Sequence, residues 1–304
     1  MKNIITCCIA LLLTTASYAQ KQKIELSLVK GQTYNQRLAS DMTMIQNMQG
    51  QDLNIKIGIN ALMSYKVLDQ LDTVYIISCK YESLSMKMEM PNNTMSVDSE
   101  NPKEGDLLSK MMAGMKKNTF TMKMTKKGRI VEVKGIEKLF EGLSEATELP
   151  AAQLAQLKAQ LSQSYGEEAF KANMEMSMAV YPKIAVNVGE KWITKGKLKS
   201  GMTADIETTY TLKDVTSDYY LITGISKITT TGKDVNVNNG MKMIYHITGD
   251  MTSNIKISKI TGWMANAVIQ QHIKGHTEIP PTAQLPDGLS LPMDMSNKMT
   301  LSEQ

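Results

Sequence analysis

The chain has 304 residues, with 34 Lys or Arg against 30 Asp or Glu and a formal net charge of +4. That near balance argues against an obligatory acidic partner. The only arginines are Arg37 and Arg129, and planar bidentate capture of phosphate favours guanidinium, which argues against a dedicated phosphate or nucleic-acid site.

Residues 1–19 read as an export signal. Lys2 supplies a short positive start, Ile4 to Leu13 an apolar run, and Ser17 and Ala19 the small residues at a cleavage site between Ala19 and Gln20. The run is about half of what a spanning helix needs. A lipoprotein reading through Cys7 or Cys8 leaves too few apolar residues ahead of the cysteine. No later segment is long and apolar enough to span a bilayer, so the expected location is periplasmic or secreted. Cleavage leaves Cys79 as the single cysteine, with no intramolecular disulfide. It lies in an apolar run from Val74 that reads as a buried strand.

After the signal, alternating runs dominate. Ile24 to Leu28 is the expected first strand. Leu53, Ile55, Ile57 and Ile59 mark one face of the next, with Asn54, Lys56 and Asn60 on the other. A short helix is predicted from Pro102 to Met115 with Asn101 as its cap. A longer one runs from Ala151 to Ser164 behind Pro150, with an extension over Glu167 to Asn173. Further strands are predicted over Met202 to Leu212, Tyr219 to Ser226, Met241 to Ile247, Met251 to Ser258 and Met264 to Ile273. Hairpin turns are expected at Gly128, at Gly262 and at Asn238-Asn239-Gly240. The segment 280–304 carries four prolines and reads as an ordered wrap or loose linker, ending in a Met293/Met295 and Met299/Leu301 alternation.

Methionine carries the strongest pattern. There are 25 Met, and they recur at i, i+2 in Met42/Met44, Met86/Met88/Met90, Met122/Met124, Met174/Met176/Met178, Met241/Met243 and Met293/Met295. Period two is the mark of a strand with one apolar face. Aromatics are only 5%, and methionine takes over part of their volume-filling role. An internal echo accompanies the pattern. Gly31-x-x-Tyr34 matches Gly189-x-x-Trp192, and Tyr65, Asp69 and Tyr75 recur at identical spacing as Tyr210, Asp214 and Tyr220. Met122 to Lys126 before Gly128 resembles Ile255 to Lys259 before Gly262. The expectation is two related β units, 24–134 and 186–279, within a single β-rich domain 20–304, joined by a helical insertion over 135–173.

Three stretches carry a family resemblance. They are Gly31-x-x-Tyr34, then Phe120 to Met124 with Gly128, Ile130, Val133 and Gly135, and then Pro182 with Val186, Val188, Gly189 and Trp192. On these the chain resembles an exported bacterial β-rich family of unknown function (domain of unknown function six-two-six-three). The resemblance implies export and a β-rich fold, and carries no catalytic residues.

Chemistry is sparse. Met-x-Met clusters suit soft cations such as copper(I), but good soft sites add His or Cys, and neither adjoins a Met cluster. His272 and His276 stand at helical metal-site spacing on what reads as a strand, with no acid beside them in sequence. The stretch Asp234 to Gly240 begins like a calcium loop, but its glycine comes late and Tyr245 replaces the bidentate Glu. The lysines around Arg129 read as a solubilised hairpin. No hydrolase, metalloprotease or phosphate-loop motif is present.

The expectation is a mainly β (α+β) protein, an antiparallel curved sheet or half-barrel. It is read as a non-catalytic envelope protein, without cofactor or metal, that binds lipid or another hydrophobic molecule. The candidate lining residues are Met86, Met88, Met90, Met122, Met124, Met174, Met176, Met178, Met241 and Met243. A structural or protein-interaction module with an ordinary Met-rich core is the alternative, and a soft-metal (copper) protein a further one.

Overall fold

A computed structural model describes residues 21–48, 51–102, 106–141, 150–199, 203–232, 235–238, 241–282 and 285–304. The signal segment, Met202 and the Asn239-Gly240 turn lie outside the described residues.

The strands are β1 (Thr33–Met48), β2 (Gln51–Leu71), β3 (Val74–Met90), β4 (Asn93–Asp98), β5 (Thr119–Thr125), β6 (Ile130–Lys134), β7 (Lys191–Lys199), β8 (Thr203–Val215), β9 (Tyr219–Thr229), β10 (Val235–Asn238), β11 (Met241–Ser258), β12 (Met264–Ile279) and β13 (Leu289–Glu303). The helices are α1 (Leu107–Met115), α2 (Ala151–Tyr165) and α3 (Glu167–Met178), with a 3-10 turn at Ile136–Phe140. All the strands join one 13-stranded sheet, in the order β6-β5-β3-β2-β1-β13-β12-β11-β9-β8-β7, with β4 on β3 and β10 on β11. Every named pairing is antiparallel. The mainly β expectation therefore holds as one large antiparallel open sheet with a few helices.

The two ends of that path meet the same helix. The Glu175 carboxylate of α3 accepts from the Ile130 N–H at 2.8 Å and the Glu167 carboxylate from the Val133 N–H at 3.3 Å, both on the free edge of β6. The same helix packs along β7, and the Trp192 indole donates to the Val180 carbonyl just after it at 2.9 Å. The sheet thus curls until its first and last strands are one helix apart.

The path reads the same way on both sides of β13. Past the β2–β3 and β8–β9 hairpins, register shifts fall at Val67/Asp69 and at Leu212/Asp214. The Gly31 N–H donates to the Val67 carbonyl at 2.8 Å and the Gly189 N–H to the Leu212 carbonyl at 2.7 Å. Tyr34 faces Tyr65, and Trp192 faces Tyr210. Lys126 N–H reaches the Thr73 carbonyl, as Lys259 N–H reaches the Asp218 carbonyl, at 3.0 and 2.8 Å.

Four expectations need correction. Ile24 to Leu28 is no ladder strand but a buried extended strap across the closed end of the sheet. Its Leu26 N–H donates to the Lys126 carbonyl and its Ser27 N–H to the Thr261 carbonyl, so successive residues tie it to the turns at Gly128 and Gly262. The Tyr75 hydroxyl donates to the Leu26 carbonyl at 3.1 Å. The short helix begins at Leu107, not Pro102: Asp106 caps it by accepting from the Ser109 N–H, while Asn101 bonds Asp98 instead. Met174, Met176 and Met178 lie on α3, where residues two apart point to different sides, so their period two marks no strand. The tail is neither wrap nor linker. It forms β13, with β12 on one side and β1 on the other. Pro292, which offers no N–H, lies just past the last β1 partner, Met293, where only β12 flanks it.

The core occupies the closed end. Trp263 is fully buried, with Tyr34 and Tyr65 ring centroids each 5.3 Å away. Cys79 is buried there too, and burial pushes its thiol up, leaving it inert toward reagents in water. Gly262 has φ +66°, and a Cβ there would strike the Glu25 carbonyl of the strap. Gly128, at φ +71°, meets the Met178 carbonyl in the same manner. Replacement at either turn breaks both the left-handed backbone and the close approach. Gly262→Ala should cost at least about 2 kcal/mol. Thermal unfolding of the variant checks this, and an unchanged midpoint would refute the strap contact.

Candidate functional site

The sheet's two faces differ in charge. Outward positions carry ion pairs such as Lys195–Glu207 at 2.9 Å, Lys197–Asp205 at 2.9 Å and Lys123–Glu132 at 2.7 Å. These exposed pairs add little stability, but they give the outer face a polar character unlike the apolar belt of a membrane-spanning barrel. In the basic cluster around Arg129, Lys116, Lys123 and Lys127 are paired. Lys116 meets Glu100, and Lys127 meets Glu25 at 3.3 Å and the Ile24 carbonyl at 3.1 Å.

Across the described strand positions the inward face carries a single ionisable carboxylate or cation, Glu303 at the very end of β13 opposite Gln36, whose carboxyl is pushed up by partial burial. At the closed end that face is filled. Along β1 to β4 the strands run on past the core, and there the same face stays partly exposed. Ile55, Ile57 and Ile59 of β2, Leu84, Met86 and Met88 of β3, and Met95 of β4 are all partly exposed. None belongs to the core cluster or to the side chains packed against it. Their spacing follows from the register. Gln271, Asn297, Met42, Ile57, Met88 and Met95 stand opposite one another in a single row across β12, β13, β1, β2, β3 and β4. Adjacent strands lie about 4.8 Å apart. The result is an apolar trough with a polar end.

The ten methionines nominated from sequence divide between regions. Met86, Met88 and Met90 stand on the partly exposed face. Met122, Met124 and Met178 are core, at 0%, 0% and 2% exposure, and so are not lining residues of an open site. Met174 and Met176 pack from α3 against the core, the Met174 sulfur 4.0 Å from the Tyr65 hydroxyl. Met241 is exposed at the start of β11, and Met243 beside it is partly exposed and accepts from the Tyr245 hydroxyl at 3.6 Å. The isoleucines of β2, together with Met42, Met95, Asn297 and Gln271, were not nominated. The β2 alternation was visible, but nothing in one sequence says which strands flank it.

The histidines do have acidic neighbours, across strands rather than along them. His272 lies 2.8 Å from Asp294, His246 lies 3.0 Å from Glu278, and the His246 and His276 rings stack with centroids 4.7 Å apart. His272 and Lys274 hold the Asp294 carboxyl below its usual range, the His272 hydrogen bond first. Among the described residues no three His, Cys, Asp or Glu converge as a metal cluster. Among them also, no helix is long and apolar enough to cross a membrane.

Among solved structures, the chain is similar to a lipovitellin chain whose title concerns lipid–protein interactions. The TM-score is 0.49 and the identity 7%, over 91% of this chain and 25% of that one. The chain thus spans about a quarter of that protein's length. A second likeness is to an outer membrane channel from Pseudomonas putida F1, with a TM-score of 0.24 and 8% identity over 92% of this chain and 97% of that one. Neither likeness bears on a ligand for this chain. No curated protein matches it. A family model described as "Family of unknown function (DUF6263)" matches residues 72–264. That match takes in most of the sheet and the α3 closure, and the chain belongs to this family.

Proposed function

We propose that this chain is an exported, non-catalytic envelope protein that holds a lipid or another hydrophobic molecule against the inward face of β2, β3 and β4. One observation carries the reading: a contiguous set of Ile and Met side chains, on the same face as the core, is left partly exposed and outside the core cluster. Apolar surface of that kind gains about 25 cal/mol for each Å² covered. Methionine's unbranched, polarisable chain adapts to a variable apolar partner better than a branched residue does. The non-catalytic part is supported by a buried Cys79 whose thiol is pushed up and by strands whose charged side chains, Glu303 apart, alternate to the outward face. The export part rests on the pattern of Lys2, the apolar run and Ala19.

We further infer that the sheet descends from two related units, with β1, β2, β3, β5 and β6 corresponding to β7, β8, β9, β11 and β12. The matched register shifts and turn hydrogen bonds support it. A superposition of the two sets that placed Gly128 and Gly262 out of register would sink the idea.

Recovery from the cell envelope should give a chain starting at Gln20, and native mass spectrometry of it should show a co-purified lipid. Met88→Asp places a charge in the middle of the trough and should weaken binding of an uncharged fluorescent naphthylamine probe by about tenfold or more. Because Met88 is partly exposed, its melting temperature should move little. A lipid-free protein that also ignores the probe would overturn the reading.

A further inference from the structure

The strap at the closed end gathers exposed apolar side chains as well as buried ones. Its Ile24, Leu26 and Leu28 are buried, while Val29 is 56% exposed. Three loops are tied to it at successive points. Gln22 and Val186 exchange two backbone hydrogen bonds, at 2.7 and 3.0 Å. Leu26 N–H bonds Lys126, whose own N–H reaches Thr73, and Ser27 N–H bonds Thr261. Within two residues of each tie stands an exposed aliphatic side chain: Ile184 near Val186, Leu71 near Thr73 and Ile260 beside Thr261. Ile260 at 82% and Ile184 at 74% are the two most exposed large apolar side chains among the described residues. An extended chain covers about 23 Å over the seven steps from Gln22 to Val29, so the four side chains share one end of the molecule. Leu71 ends β2, whereas Ile55 lies near its start, so this patch is separate from the trough.

Charge gathers at the same end. The strap and the turns around it, residues 21–31, 69–73, 126–129, 183–190, 213–218 and 258–261, hold nine Lys or Arg against six Asp or Glu. The rest of the chain after residue 19 holds 24 of each, so this end carries the whole positive excess. Some of it is paired locally. Glu25 meets Lys23 at 2.8 Å and Lys127 at 3.3 Å, and Lys30 meets Asp69 at 2.8 Å. Lys21, Lys126 and Lys183 have no carboxylate at ion-pair distance among the described residues. Exposed aliphatic tips set among cations disfavour pairing with a second copy, which would bring like charges together. They match a surface that is apolar beneath and anionic on top. Such attraction is diffuse and needs no arginine fork.

We propose that the strap end docks on an anionic phospholipid surface. Ile184, Ile260, Leu71 and Val29 enter the boundary between headgroups and acyl chains, and Lys21, Lys126 and Lys183 face the headgroup phosphates. The ion-paired outer face of the sheet stays in water, so the chain lies on the membrane and does not cross it. This contact is independent of any ligand in the trough.

The test is sedimentation of the chain without residues 1–19 with vesicles of phosphatidylcholine, either alone or with one third phosphatidylglycerol. Binding to the mixed vesicles should be at least about tenfold tighter than to phosphatidylcholine alone and should weaken with added salt. Ile184→Ser combined with Ile260→Ser should weaken it about tenfold or more. Lys126→Gln combined with Lys183→Gln should do the same, at about fivefold for each lysine. Both isoleucines are exposed, so the melting temperature of their double variant should stay where it is. Ile225→Ser, at a 64% exposed position on the outward face of β9, should leave vesicle binding unchanged, as should Met88→Asp in the trough. Equal binding to the two kinds of vesicle, binding to neither, or an equal loss from Ile225→Ser overturns the docking face. So does a loss through Met88→Asp without one through the isoleucine pair, which would place the contact at the trough and leave the lipid-binding reading standing.

Discussion

A long antiparallel sheet has two outer strands, and each presents backbone donors and acceptors that must find partners or become a template for another chain. Here both fall to one helix. Glu167 and Glu175 of α3 accept from two N–H groups of β6, while the helix packs along β7 and the Trp192 indole bonds the chain just beyond it. That closure sets the curvature, and the curvature creates an inside. The strap at Ile24 to Leu28, the Trp263 cluster and the two glycine turns make sense only once the sheet has curled far enough to bring the turns together.

Having an inside allows charge to be sorted by side. Strand alternation places Lys and Asp outward, and Glu too except Glu303 at the end of β13, and leaves Ile, Met, Leu and a few amides and hydroxyls inward. Buried polar groups on that face are mostly paired, as in the Thr208–Ser226 contact at 2.8 Å, in keeping with the cost of leaving them bare. The core fills only part of the length. β2 has 21 residues against 7 in β5, so the long strands carry the apolar face beyond the region that short strands and helices can cover. The trough is therefore a consequence of unequal strand length, and methionine is the side chain that fills both its packed and its open portions.

Much of the strand content was legible because period two is local. So were the turns at Gly128 and Gly262 and the helix at Ala151. The echo of Tyr65, Asp69 and Tyr75 in Tyr210, Asp214 and Tyr220 pointed to positions that do share matching register shifts. What escaped was whatever depends on partners. Ile24 to Leu28 alternates like a strand, yet its hydrogen bonds go to two separate turns. Met174 to Met178 repeats at the strand period, yet Glu167 and Glu168 open a helix that carries through them. The prolines before β13 suggested a tail, because nothing local shows that β1 and β12 leave a gap for a strand. The candidate site was half legible for the same reason: Met86 and Met88 were found, while Asn297 and Gln271 became relevant only through the register that sets them beside Met42.

The position of β13 also has a consequence in time. It is the last strand of the chain and pairs with the first, bringing Ser40 and Asn297 together across 257 residues. Such pairing forms late, because loop closure must be met before any contact rewards it. Until the C-terminal residues arrive, β1 and β12 remain open strands, each flanked on one side only. A chain truncated before Leu289 would hold two separate half-sheets with two additional bare edges. Assembly of the whole is thus governed by its final fifteen-residue strand.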